Sequence, residues 1–286
     1  MKLSDYQPEQ KHMLCFVGKG GHGKSIGASF WPTPMYYASC DGRVASIYNY
    51  WKTVEPGRLN DIEFDTYTAT DYDKLATKLE NLQMRNPFKT VILDPLTMIG
   101  DMLIRYSMAQ TRGDSKNEKK QDKGRVQISG PDDYKTETHG LKLILDIGRV
   151  LKSHFILCAH ILEDSYYELG SDKPRVTRKL LTAGKQPAAM IPGMFDEVWL
   201  FTVVPAATLG LPPEYKVITR PTAEFDALRT SVPAMPTEFK WTKDGPNGTK
   251  VPMNLYAMVS KLLNAPVEKK GGETADVGVP APPSTV

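Results

Sequence analysis

The sequence predicts an α/β fold with a mostly parallel central sheet flanked by helices, and two observations carry that expectation. Three short apolar runs, Met13 to Val17, Thr90 to Leu93 and Phe155 to Ala159, contain no charge, as strands buried on both faces do. Between them apolar residues recur at helical spacing, so strand and helix alternate as a parallel sheet requires. Beyond Ile161 the pattern becomes β-rich, which predicts a C-terminal extension of the same sheet.

The first run ends in Gly18 and enters a glycine-rich turn. A helix is expected from Lys24, and it must be short because Pro32 and Pro34 stop it after Phe30. Met35 to Ser39 reads as the second strand, followed by the turn Cys40-Asp41-Gly42, with further strands expected near Val44 to Ile47 and Ile62 to Tyr67. Leu75, Leu79 and Leu82 mark a helix over 71–84, closed by Asn86-Pro87. The run from Thr90 terminates in Asp94, and a helix is expected from Leu96 to Ala109.

Residues 111–123 are polar and lysine-rich, the composition of an exposed flexible loop. Helical spacing returns with Leu141 and Leu145 and runs to Leu151, leading into the strand capped by His160. Glu197 to Phe201 and Tyr215 to Thr219 are expected to pair antiparallel around the Pro205 to Pro213 connection. A last helix is expected from Met253 to Leu263. One domain over 1–263 follows, with 264–286, rich in Gly, Pro and charge, as a disordered tail.

The 286 residues are 41% hydrophobic and 24% charged with a net charge of +3, a balance that argues against global disorder and does not by itself imply a nucleic-acid partner. No run of eighteen apolar residues occurs, and the N-terminus lacks a secretory pattern, so a cytoplasmic protein without membrane association is expected. Cys15, Cys40 and Cys158 are odd in number and scattered, which predicts neither disulfides nor zinc. Asn247-Gly248-Thr249 reads as a turn.

The chemistry concentrates in Gly18-Lys19-Gly20-Gly21-His22-Gly23-Lys24-Ser25, which satisfies G-x-x-x-x-G-K-[ST] between a buried strand and a helix start. Glycines let successive backbone N–H groups converge on phosphates, and the helix N-terminus adds its positive end. The expected nucleotide-binding set is Gly18, Gly20, Gly21, His22, Gly23, Lys24, Ser25 and Ile26, with ATP and Mg²⁺ as ligands. Lys24 would neutralise the β and γ phosphates, and Ser25 would supply a hydroxyl to Mg²⁺. Lys19 and His22 occupy variable loop positions, facing solvent or lying behind the contacting groups.

Asp94 stands where the second acidic motif of such proteins places a carboxylate against Mg²⁺, although an ordinary strand-ending aspartate also fits. For the group that orients the attacking water, Asp41 is the first candidate, with Glu63 and Asp65 behind it. The Asp-Gly turn is an equally good structural reason for Asp41. His160, capping the third core strand, is placed to sense the γ phosphate. Lys24, Asp94, Asp41 and His160 form the candidate catalytic set.

Taken in order, Gly18 to Ser25, the Asp94 strand and the Ala159-His160 strand end resemble the RecA-like P-loop ATPases. More narrowly, the chain resembles the phage-encoded single-strand annealing and recombination ATPases, through Pro131 to Tyr134, Phe155 to His160, Ile191 to Val198 and Phe225 to Arg229. The resemblance implies a homo-oligomer acting on single-stranded DNA, in a bacterial host cytoplasm, with a single-stranded DNA-binding protein as a further partner. It places the loops after the Asp94 and His160 strands against DNA: Lys119 and Lys120 in the first, Lys173, Arg175, Arg178 and Lys179 in the second, with Tyr166 and Tyr167 for base stacking. Solvated charge runs explain the same residues. Arg229 is implied as a finger reaching a neighbouring subunit's nucleotide. The chain departs from the RecA-like pattern in offering Asp41 where a glutamate is usual, and His160 where glutamine is frequent. A nucleotide-dependent regulator or assembly ATPase without DNA, and a small-molecule kinase, are the rival readings.

Overall fold

Alternating strands and helices build one eight-stranded sheet in the computed structural model, which describes residues 11–110, 129–167, 174–206, 213–245 and 249–263. The expected loop at 111–123, the tail at 264–286, and Lys119, Lys120 and Lys173 lie outside the described residues.

In chain order the elements are β1 (Met13–Val17), α1 (Lys24–Ala28), β2 (Met35–Ser39), α2 (Ala45–Val54), β3 (Ile62–Thr66), α3 (Tyr72–Met84), β4 (Thr90–Asp94), α4 (Leu96–Gln110) and α5 (Pro131–Val150). They continue with β5 (His154–Ala159), β6 (Ile161–Tyr167), β7 (Pro174–Leu180), α6 (Lys185–Met190), β8 (Glu197–Val204), β9 (Glu214–Ile218), β10 (Glu238–Lys240), β11 (Thr242–Asp244), β12 (Lys250–Pro252) and α7 (Leu255–Leu263).

The sheet runs β10-β9-β8-β1-β5-β4-β2-β3. From β8 to β3 the strands are parallel, while β9 and β10 add antiparallel to β8. This is the mostly parallel, helix-flanked sheet with a β-rich C-terminal extension that the sequence predicts. The β8–β9 pairing, Leu200 opposite Ile218 and Val204 opposite Glu214, is the antiparallel pair expected there.

Strands β1, β2, β4 and β5 are buried along their whole length, and their alternate residues feed two cores. Cys15, Tyr36, Val91 and Phe155 face a core completed by Leu75, Ile99 and Leu141 of α3, α4 and α5. Phe16, Tyr37, Ile92 and Ile156 face the other, completed by Ala28, Ile47, Trp51 and Leu255 of α1, α2 and α7. Two helical layers therefore sandwich the sheet, as a two-sided parallel sheet demands. Among the described residues no helix is long and apolar enough to cross a membrane.

Three expectations need correction. The strand expected at Val44 to Ile47 is the start of α2: Ile47 and Trp51, four residues apart, are its buried face, whereas Tyr48 between them is exposed. Helix α5 begins at Pro131, ten residues before the leucine pattern, because Pro131 suits a first turn and the Asp133 carboxylate accepts the Gly130 N–H at 2.7 Å. The basic segment after His160 is no loop. It forms an antiparallel ribbon of β6 and β7, with Ile161 opposite Leu180 and Tyr166 opposite Arg175. The exit of that ribbon is anchored by the fully buried Glu137 of α5, whose carboxylate accepts the N–H groups of Ala183 at 3.1 Å and Gly184 at 2.8 Å.

Candidate functional site

Parallel pairing brings the carboxyl ends of β1, β5 and β4 to one edge of the sheet, with β5 between the other two. The glycine-rich loop leaves β1 at that edge, and the Gly18 N–H is fastened to Ala159 O of β5 at 3.1 Å. Gly23, at φ +89°, turns the chain into α1 from the left-handed region that side chains with a Cβ rarely adopt.

Four candidate residues converge here. Lys24 is buried, and its Nζ arches back over the loop to donate to Gly18 O and Lys19 O, each at 2.9 Å. The same Nζ lies 3.4 Å from Nδ1 of His160, so the strand-capping histidine touches the loop lysine directly. Ser25 Oγ donates to Asp94 Oδ2 at 2.5 Å, joining the loop to the end of β4. Burial lowers the Lys24 pKa, and the carboxylates of Asp94 and Asp41 partly restore it. Burial, followed by the Lys24 charge, lowers that of His160, which keeps its imidazole neutral.

Asp41 ends up beside the Asp94 strand and not beside the loop strand: β2 pairs with β4, and the Cys40 N–H bonds Asp94 O at 2.7 Å. Its carboxylate accepts the Arg43 N–H at 2.9 Å, the turn role that the Asp-Gly sequence suggests. Its charge nevertheless reaches both Lys24 and His160. Glu63 and Asp65 are excluded by distance. They lie on β3, four strands from β1, about 19 Å at the usual strand spacing, and both carboxylates face Lys78.

The C-terminal extension closes the loop from the other side, and the sequence offers no local signal for this. His22 donates from Nδ1 to Phe201 O of β8 at 3.0 Å, so it is a strut between loop and sheet rather than a solvent-facing group. A Cβ on Gly18 would lie 2.5 Å from that same carbonyl oxygen, and one on Gly23 would lie 2.5 Å from the Trp241 indole. Ile26 packs at the rim of the core that contains Phe201 and Trp241.

Lys19, at a variable loop position, is ion-paired with Glu163 of β6, which also accepts Arg178 Nε of β7 at 2.8 Å. Arg178 makes a second ion pair with Glu224. The Lys19 ammonium and the Arg178 guanidinium hold the Glu163 carboxyl below the usual carboxylate range. Lys179 pairs with Asp164 at 2.7 Å, while Arg175, Tyr166 and Tyr167 are exposed on the ribbon.

Arg229 is exposed and bridges Val198, the second residue of β8, toward the strand's amino end and so away from the edge that carries the loop. Cys15, Cys40 and Cys158 are free and buried. Among the described residues no group of three or more His, Cys, Asp or Glu side chains could hold a metal ion by itself.

No family model matches the chain, and no curated protein matches it. A solved structure similar to it is the KaiC-like protein PH0186 from the hyperthermophilic archaeon Pyrococcus horikoshii OT3, at 12% sequence identity and a TM-score of 0.47, covering 86% of this chain and 91% of that one. The strand order of this chain places one strand, β5, between the loop strand β1 and the Asp94 strand β4.

Proposed function

We propose that the chain binds ATP with Mg²⁺ on the Gly18 to Ser25 loop and hydrolyses it. The observation that carries this reading is the 2.5 Å hydrogen bond from Ser25 Oγ to Asp94 Oδ2. The second residue of the Lys-Ser pair and an aspartate sixty-nine positions away meet at the strand edge where a phosphate-bound metal is held. A hydroxyl and a carboxylate are hard oxygen donors that suit Mg²⁺, which takes few protein ligands when phosphates supply the rest. Ser25 and Asp94 would hold the metal, and the chemistry it would supply there is positive charge against the phosphates. Lys24 supplies a movable counter-charge, since its present acceptors, two backbone carbonyls of the loop and Nδ1 of His160, are all uncharged, and phosphate oxygens are stronger acceptors. His160, neutral and 3.4 Å from Lys24 Nζ, relays the position of that lysine to β6. Asp41, whose charge reaches both Lys24 and His160, would orient the water.

The finer reading is a DNA-directed ATPase of recombination or annealing, working as a homo-oligomer in which Arg229 reaches a neighbouring nucleotide. Support comes from the resemblance and from the ribbon, where exposed Tyr166 and Tyr167 stand with Arg175 and Lys179, the pairing of aromatic faces and cations that single strands favour. Stimulation of ATP hydrolysis by single-stranded DNA tests it. A second reading, a nucleotide-dependent regulator or assembly ATPase without DNA, is favoured by one observation: Arg178 and Lys179 are already matched by Glu163, Glu224 and Asp164. ATP hydrolysis indifferent to DNA would select it.

A further inference from the structure

Asp94 is held by a second donor. The phenol of Tyr37, on the neighbouring strand β2, donates to the same Oδ2 at 2.7 Å. The register explains how. Tyr37 pairs with Ile92 and Ser39 with Asp94, so Tyr37 and Asp94 project from the same face of the sheet and the long phenol runs parallel to the strands toward the carboxylate. The ring is 2% exposed and packs in the core formed by Phe16, Ile92 and Ile156, which leaves it little freedom to leave that geometry.

Two donors on one oxygen fix both the plane of the Asp94 carboxylate and the place of its negative charge. Ser25 alone would not do so, because its hydroxyl sits on the loop and must also serve the metal. We propose that Tyr37 is a positioning residue for the Mg²⁺ site: it orients Asp94 from the rigid sheet while Ser25 approaches from the loop. This rests on the ATP-site reading above. Partners of this kind behind a metal-binding group typically change metal affinity about 10–100-fold when removed.

The test is Tyr37→Phe, which keeps the ring and removes the hydroxyl. Mn²⁺ replaces Mg²⁺ as a spectroscopic probe, and its half-saturation is read by paramagnetic resonance in the presence of a non-hydrolysable ATP analogue. The expected result is a rise of about 10-fold in half-saturating Mn²⁺, with metal-free binding of the analogue unchanged, since Lys24 and the loop are untouched. Asp94→Asn serves as the reference for complete loss of the carboxylate charge. Unchanged Mn²⁺ half-saturation in Tyr37→Phe, together with a shift in Asp94→Asn, overturns the role of Tyr37 and leaves the ATP site standing. Failure of the parent chain to bind the analogue overturns both. Should Tyr37→Phe not fold, incorporation of 3-fluorotyrosine at position 37 keeps the hydrogen bond and strengthens the donor. A half-saturation displaced from the parent's supports the proposal, and an unchanged one overturns it.

Discussion

Gly27 lies under the ring of Phe201: a Cβ built on this glycine would stand 2.7 Å from Cε1 and 2.9 Å from Cζ. Gly27 is outside the phosphate-loop pattern, and alanine in a helix is ordinarily favoured over glycine by about 1 kcal/mol. Here the ring is fully buried against Phe16 and Trp241 and cannot withdraw. Gly27→Ala is expected to destabilise the fold by about 1–3 kcal/mol through overpacking. Thermal unfolding measures it, and Phe201→Leu in the same chain is expected to recover part of the loss. A stabilised Gly27→Ala would mean that α1 is free to move away from β8.

Lys24→Ala removes the ammonium that caps the loop carbonyls of Gly18 and Lys19. A charge-assisted hydrogen bond contributes about 1.5–3 kcal/mol, so ATP affinity is expected to fall about 10–100-fold. Core strand β1, buried throughout, does not depend on this side chain, and the variant is expected to fold. Equilibrium binding of ATP is the measurement, and undiminished affinity in the folded variant would remove the loop from the ATP site.

Asp94→Asn keeps the shape of the acceptor that Ser25 and Tyr37 share and removes its charge. Nucleotide binding without metal is expected to persist, whereas Mg²⁺-dependent hydrolysis is expected to fall at least about 100-fold. Turnover assayed over a Mg²⁺ series decides it, and parent-like rates would place the metal-holding carboxylate elsewhere.

His154 predicts a pH dependence unrelated to the nucleotide. It opens β5 at the far edge of the sheet, stacked on His12 with ring centroids 5.5 Å apart and met edge-on by Tyr256. Burial, then the neighbouring His12, lowers its pKa from 6.5 to about 4. The unfolded chain therefore takes up this proton before the folded chain does. The associated stability is complete above pH 6.5 and is lost as pH falls toward 4, an effect of about 3 kcal/mol. Denaturant midpoints at pH 7.5 and pH 5 should differ in the parent and differ less in His154→Phe. Equal pH sensitivity in both would assign the effect to other groups.

The DNA reading yields a salt signature. Arg178 clamps Glu163 and Glu224, so its removal would disturb the ribbon itself. The informative variant combines Arg175→Ala with Lys179→Ala, because Arg175 is exposed and the Lys179 pair with Asp164 lies at the surface, where such pairs contribute about 0–1 kcal/mol. If both meet phosphates, affinity for single-stranded DNA should weaken and the log-log salt slope should become shallower by about 0.7 for each phosphate no longer neutralised. Filter binding across a salt series measures this. An unchanged slope would show the ribbon to be plain solvated surface.

The sequence by itself determined the strands β1, β2, β4 and β5, the short α1 and the loop from Gly18 to Ser25. Continuous apolar runs and a glycine pattern are local signals, and no distant partner was needed to read them. It also marked Lys24, Ser25, Asp94 and His160 as chemistry-bearing, because each stands at the end of such a run or in the loop. Only the tertiary structure decided which of these groups meet. Strand order is set by which faces bury one another, a property of pairs of segments far apart in sequence, and it placed β5 between β1 and β4. That order brings His160 to Lys24 and sets Asp41 beside Asp94. It also carries Glu63 and Asp65 away to the edge strand. The roles of Tyr37, Phe201 and Trp241 were illegible for the same reason: in sequence they are ordinary apolar-patterned aromatics, and they reach Asp94, Gly18, Gly23 and Gly27 only when register and packing bring them there.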